Sequence, residues 1–276
     1  MALPAWIQSR RWGEHELLEV QTEAATLVLS LSGAQVLSFV PQGQQDLLWW
    51  SSTSLCQQGK PIRGGIPLCW PNFADAGEPF HGTARTRLWQ LEHAQLLDVG
   101  ASLSLVPVQQ DEDKAVRLQL EFGARLSVSL TTRNLDEVPL SLTQALHSYL
   151  RVGDWRQISL HGLDGCLWLD KLAAGTERRQ SGALHLAAAI DAIFQHQGAV
   201  QIRDPQLQRL LTVRKAGSGS TVVWQPGDNL ASFKDVNAAE AAHFVCVEAA
   251  NTLLDPVVLQ PGQEWTLQTV LEVEGL

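Results

Sequence analysis

Two side chains in this sequence have the chemistry to move protons, and three more have the chemistry to hold an anion or a hydroxyl. Glu248 closes the run Phe244-Val-Cys-Val-Glu248. A carboxylate behind four apolar residues is seldom buried alone, so it needs a partner or a cavity that uses its basicity. Burial raises a carboxylate's pKa unless cations or hydrogen bonds oppose it, which tunes the group as a general base. His147 lies in Leu146-His-Ser-Tyr149. In a strand it faces away from Leu146 and Ser148 and shares a face with Tyr149, the single tyrosine of the chain. A lone strand histidine is commonly a satisfied core or surface residue, so His147 gains a chemical meaning only beside a partner.

The anion chemistry comes from two loops. Lys60-Pro-Ile-Arg-Gly-Gly-Ile-Pro-Leu-Cys-Trp-Pro71 holds two glycines and three prolines. That composition cannot make a central strand; it makes a shaped loop with close backbone approaches. Arg63 stands inside it, either as a surface residue or as a planar, bidentate grip on an anion. Phe80-His-Gly-Thr-Ala-Arg85 is a second presenting loop. His81 can hydrogen-bond a sugar hydroxyl or serve as a turn histidine. Arg85 can join Arg63 on a phosphate, and Arg87 shares its face if the segment is extended.

These loops need rigid elements, and the strand signal dominates. Alternation marks strands over 26–32, 103–108, 116–122, 125–132, 140–146, 199–203, 210–214, 221–224, 243–248 and 265–273. Turn residues separate them, as at Ser32-Gly33, Asp204-Pro205, Pro226-Gly227 and Pro261-Gly262. Residues 181–192 are ambiguous, with apolar spacing that suits helix or strand. Gly217-Ser-Gly-Ser220 reads as a plain flexible turn. Many strands with few helices predict an all-β chain, an antiparallel sandwich or barrel. No linker, repeat or low-complexity tract divides it, so residues 1–276 are expected to form a single domain.

Composition narrows the classes. Hydrophobic residues make up 45% and charged residues 18% of the 276, as in an ordinary globular protein. No apolar run reaches the ~18 residues of a membrane span. The N-terminus has arginines after a short apolar start and does not read as a secretory signal, so a cytoplasmic protein is expected. The formal charge of -9 argues against nucleic acid as a partner. It leaves room for a local basic pocket and a small anionic substrate. Four cysteines without a C-x-x-C pair are expected to be reduced and mostly buried. Ten tryptophans, with Trp49, Trp50, Trp70 and Trp89 clustered early, fill a core or stack on sugar rings. There is no G-x-S-x-G, Walker loop, G-x-G-x-x-G or H-E-x-x-H, and no histidine or cysteine spacing that supports a metal site.

Taken in order, Pro61-Ile-Arg-Gly-Gly-Ile-Pro-Leu-Cys-Trp-Pro-Asn-Phe73, His81-Gly-Thr-Ala-Arg85, Ala145-Leu-His-Ser-Tyr149, Leu169-Asp-Lys171, Phe244-Val-Cys-Val-Glu248 and Pro261-Gly-Gln-Glu-Trp265 form a set. The chain thereby resembles the hexose-6-phosphate mutarotases (glucose-6-phosphate 1-epimerases), the phosphosugar branch of the galactose-mutarotase-like family. The resemblance spans nearly the whole chain. It implies a large antiparallel β-sandwich with a cleft on a concave face and no cofactor. It implies His147 as acid, Glu248 as base, Asp170 as a ligand of sugar hydroxyls near the reacting carbon, and Arg63 and Arg85 as holders of the 6-phosphate. Thr83 stands where the family usually has Phe, and Phe80 where a polar residue often stands.

Interconverting the α and β forms of a hexopyranose requires ring opening at the hemiacetal. Glu248 would take the proton of the anomeric hydroxyl while a protonated His147 gives one to the ring oxygen. A nearby carboxylate is expected to raise the His147 pKa above its ordinary ~6.5 and keep it charged. A monomer acting on glucose 6-phosphate is the expectation. Three rivals stand beside it: an aldose 1-epimerase on free sugars, a non-catalytic sugar-binding or sensor protein of the same fold, and a glycoside hydrolase. The last needs two carboxylates, and the chain offers one strong candidate.

Overall fold

Alternation of apolar and polar side chains becomes, in the computed structural model, a stack of antiparallel sheets; the structure describes residues 3–276. The larger sheet has nine strands, in the order Leu184–His185, Ser159–His161, Val200–Asp204, Arg209–Ala216, Glu264–Gly275, Leu126–Asn134, Lys114–Phe122, Ala101–Pro107 and Trp89–Leu96. The second has eight. Its order is Thr176–Arg179, Leu167–Asp170, Ile190–Gln195, Ser220–Gln225, Phe244–Asn251, Gln144–Leu146 and Leu68–Cys69, with Tyr149–Arg151 also paired to Phe244–Asn251. An N-terminal sheet of four strands covers Ile7–Trp12 to Gln35–Pro41, and Leu140–Leu142 pairs with Val257–Leu259. Strand-to-strand pairing is antiparallel throughout. The described residues contain no α-helix, only the 3-10 turns Ala84–Thr86, Lys171–Ala173 and Ala241–His243. No helix among them is long and apolar enough to cross a membrane. This is the all-β antiparallel sandwich that the strand pattern and the resemblance imply.

The main core lies between the two large sheets. Leu146, Ala192, Phe194, Val223, Val247 and Ala249 of the eight-stranded sheet join one cluster with Leu105, Leu118, Leu130, Val213 and Leu267 of the nine-stranded one. Each buried leucine, valine or phenylalanine of this cluster contributes about 1.5–3 kcal/mol. The period of two means that their sequence neighbours face the other way, and a one-residue slip would send those neighbours into the core. Apolar packing on one face therefore fixes what the other face presents.

Where the alternation predicts strands, their bounds follow it with shifts at the ends; strands such as Ile7–Trp12, His15–Gln21, Gln35–Pro41, Trp89–Leu96 and Leu167–Asp170 are not predicted by it, and two expected segments differ more. The expected strand over 140–146 splits into Leu140–Leu142 and Gln144–Leu146, which join different sheets. At the break, the Thr143 hydroxyl accepts the Phe73 N–H at 2.9 Å. The ambiguous 181–192 segment is extended, supplying Leu184–His185 and the start of Ile190–Gln195. All four cysteines are free, with Cys69 and Cys246 buried. Trp49, Trp70 and Trp89 are core residues at 2% exposure or less, and Trp50 packs edge-on against Trp12 at 4.9 Å. The early tryptophan cluster is structural.

Candidate active site

Register builds the centre of the site. Leu146 pairs with Ala249 and Tyr149 with Cys246, so the intervening His147 stands directly across from Glu248. One strand further, Glu248 pairs with Val222, and Val222 with Ile193. The next row is Tyr149, Cys246, Trp224 and Asp191. These rows form the face of the eight-stranded sheet that points away from the core. Above them lies a cleft of about 420 Å³, within the roughly 300–1,000 Å³ of small-molecule sites.

His147 Nε2 lies 3.5 Å from Glu248 Oε1, with the side chains 12% and 1% exposed. His147 Nδ1 and Glu248 Oε2 are both buried without a protein partner. Burial is the main cause that pushes the His147 pKa well below its ordinary value, with His81, Arg63 and Arg85 acting in the same direction. Burial, with Asp191 second, pushes Glu248 well up. The sequence-based expectation that Glu248 keeps His147 charged is corrected here: burial and a basic neighbourhood outweigh one carboxylate. Each shift favours the uncharged form of its group, a neutral imidazole beside a protonated carboxyl.

Two loops bring cations over this floor. In the 61–71 loop Gly65 has φ +62, and a Cβ there would collide with the Val36 carbonyl, so the turn that aims Arg63 inward needs glycine. Arg63 Nε donates to Asp235 at 3.0 Å and Nη1 to the Tyr149 hydroxyl at 2.9 Å, with the guanidinium 5.7 Å from the Phe233 ring. His81 and Gly82 are left-handed at φ 64 and 67, and the Trp70 carbonyl excludes a Cβ at Gly82. His81 Nδ1 accepts the Ala74 N–H at 3.1 Å, which leaves Nε2–H as a donor. Burial, then Arg85 and Arg63, pushes the His81 pKa down to about 3, so the ring is neutral. Arg85 donates to the Phe80 carbonyl at 2.9 Å, while its Nε is buried without a partner.

Asp170 is not in the cleft. It pairs with Ala192, whose side chain is in the core, so register aims Asp170 away from the face that carries Glu248. Its Oδ1 caps the 171–173 turn through Leu172 and Ala173 N–H at 3.1 and 3.2 Å, and its Oδ2 accepts from Arg178 at 2.9 Å. The acid on the cleft face is Asp191, one position along the neighbouring strand, with its pKa raised mainly by burial and opposed by Lys171. Its signal was an acid at an alternating position in Ile190-Asp-Ala-Ile-Phe194, the pattern that exposed Glu248. Lys171, Phe233 and Asp235 also line the cleft without having been singled out. The aromatic walls are Phe73, Phe80, Tyr149, Trp224 and Phe233. Arg87 does not join Arg85, because 84–86 is a 3-10 turn; it pairs with Asp111 at 2.8 Å. Phe80 sits on the rim, 55% exposed, while the Thr83 hydroxyl is buried outside the lining.

The model of the aldose 1-epimerase family matches residues 16–272. This chain belongs to that family. A relative from Cenchrus ciliaris, named as a candidate glucose-6-phosphate 1-epimerase, is 31% identical over 255 residues, covering 85% of this chain and 77% of its own. One from Escherichia coli K12 with the same name is 31% identical over 258 residues, covering 88% and 86%. The crystal structure of a candidate mutarotase from Salmonella typhimurium superposes with a TM-score of 0.92 at 27% identity, over 100% of this chain and 96% of that one. As a member of the aldose 1-epimerase family the chain is an isomerase that interconverts sugar anomers.

Proposed function

We propose that this epimerase acts on a hexose 6-phosphate, glucose 6-phosphate first, and opens and recloses its ring between His147 and Glu248. The observation that carries the reading is the cross-strand pair itself. Two buried titratable groups stand 3.5 Å apart, and each leaves a buried polar atom without a protein partner. Ring opening needs one donor and one acceptor, hence one proton on the pair. Opposed shifts, His147 down and Glu248 up, favour a neutral imidazole as acceptor beside a protonated carboxyl as donor. One group protonates the ring oxygen as the other takes the proton of the anomeric hydroxyl. The C1–C2 bond of the open aldehyde turns, and the ring closes with the roles reversed. Each transfer contributes ~10²- to 10⁴-fold.

Arg63 and Arg85 hold the phosphate, so binding energy gathered away from the anomeric carbon orients the sugar. Asp191 and the His81 Nε2–H take sugar hydroxyls, the part first given to Asp170. The names of the plant and Escherichia coli relatives support the phosphosugar. A charged, membrane-impermeant substrate supports a cytoplasmic enzyme. A second reading, the same reaction on free sugars, draws on Asp235, whose carboxylate already occupies Arg63.

Two variants test the proposal. His147→Asn should lower the catalysed exchange of glucose 6-phosphate anomers ~10²-fold or more. Arg85→Met should raise KM for the phosphosugar ~10-fold or more, by removing a charged hydrogen bond. An unchanged rate in the first variant rejects the pair; an unchanged KM in the second favours the free-sugar reading.

A further inference from the structure

Arg63 is tied to the acid/base pair through one intermediary. The Tyr149 hydroxyl accepts from Arg63 Nη1 at 2.9 Å, and the Tyr149 ring lies nearly parallel to the His147 imidazole, 4.8 Å away at 11°. Trp49, Phe244 and the edge of Trp224 pack around the same ring at 5.9, 5.4 and 6.0 Å. A ring so enclosed shifts only with its neighbours. Tyr149 moves no proton itself, because burial pushes its phenol pKa up, away from neutral pH. Arg63 also holds Asp235, a carboxylate that an incoming dianion must displace or share.

We propose that Tyr149 is a positioning residue that transmits occupation of the arginine pair to His147, so that a free anion at Arg63 and Arg85 activates the enzyme toward a sugar with no phosphate. The proposal rests on the hexose 6-phosphate reading and goes beyond it. The anion is then more than a handle on the substrate. When it engages Arg63, the guanidinium turns from Asp235, the hydroxyl of Tyr149 follows, and the stacked imidazole is set against Glu248.

Electrostatics act in the same direction. Glu248 faces His147 from the opposite strand, Tyr149 from its own, His81 from the 80–85 loop at 5.7 Å, and Arg63 and Arg85 from the two loops. Asp191 acts on Glu248, and Asp235 on Arg63. The arginines disfavour a charged imidazole; a bound dianion offsets them. His147 then holds a proton more readily, which favours the histidine acid of the expected mechanism.

The test uses D-xylose, which is glucose without the C6 arm and leaves room for a separate anion. Anomer exchange is read by NMR saturation transfer on the full chain, with and without inorganic phosphate, and the protein-free rate in the same buffer is subtracted. Glucose 6-phosphate is run in parallel. Phosphate should raise the protein-dependent xylose rate about 10- to 100-fold in the wild type. Tyr149→Phe keeps the stacked ring and loses the Arg63 contact, so it should lose most of that activation. Phosphate should also raise the His147 pKa, read from its ring nitrogens, and do so less in Tyr149→Phe. If glucose 6-phosphate is exchanged but phosphate leaves xylose unaffected, or activates the variant equally, the role of Tyr149 is overturned. If xylose is exchanged as fast without phosphate as glucose 6-phosphate is, the phosphosugar reading falls and takes this proposal with it.

Discussion

Replacing Glu248 with glutamine should make the protein more stable as it makes it inactive. The carboxyl is 1% exposed, and both of the causes acting on its pKa raise it. An unfolded chain releases this proton near the ordinary value of 4.5, while the native state holds it to higher pH. The native state therefore binds more protons in that window, and stability falls as pH rises toward the folded pKa. Each pH unit inside the window costs about 1.4 kcal/mol. Glutamine has the shape of the protonated acid and does not titrate. From about pH 5 upward the variant's advantage over the wild type should grow with pH at up to the same slope, levelling once the folded pKa is passed. His147 contributes the opposite slope, because its depressed pKa makes stability fall as pH drops below 6.5, and it largely cancels in the comparison. Denaturant unfolding at several pH values gives the difference, and saturation transfer on the same samples should show a ~10²- to 10⁴-fold loss of exchange. A variant that is less stable, or whose advantage does not grow with pH, refutes the reasoning: Glu248 would then be an ionised partner of a charged His147.

Three further outcomes follow from the geometry. Asp170→Asn should cost about 1 kcal/mol or less through the 171–173 cap and the Arg178 contact, seen in thermal unfolding, and leave the exchange rate within twofold. Asp191→Asn should lower kcat/KM by ~10-fold or more by removing a hydroxyl acceptor on the cleft face; equal effects in the two variants would contradict the register. Trp70→Ala should destabilise by about 3–5 kcal/mol, because its indole is fully buried and donates to the Thr132 hydroxyl at 2.8 Å, and it is checked by denaturant unfolding.

Much of the fold is legible because one sheet face is core: the run at 116–122 alternates cleanly, and Val116, Leu118 and Leu120 join the same core cluster as Leu211 and Val213. Strands that lack a wholly buried face are silent in sequence. Ile7–Trp12 buries only its first residue, and Trp89–Leu96 mainly Trp89, so neither shows a period. Glu248 and His147 could be singled out because each interrupts an apolar pattern. Their being opposite one another could not, since register depends on pairing between segments a hundred residues apart. Asp170 and Asp191 show the same limit: both end or begin short strands, and only the pairing of Asp170 with Ala192 decides which carboxylate faces the cleft. The direction of the His147 shift follows from burial in the folded sheet, reinforced by arginines from two loops, and no local spacing records either.

The most direct test is anomer exchange of glucose 6-phosphate and of unphosphorylated glucose, measured by saturation transfer with and without the protein. The account predicts strong acceleration of the phosphosugar and little of glucose. Equal acceleration of both would keep the His147–Glu248 pair and contradict the arginine site; acceleration of neither would contradict the central claim.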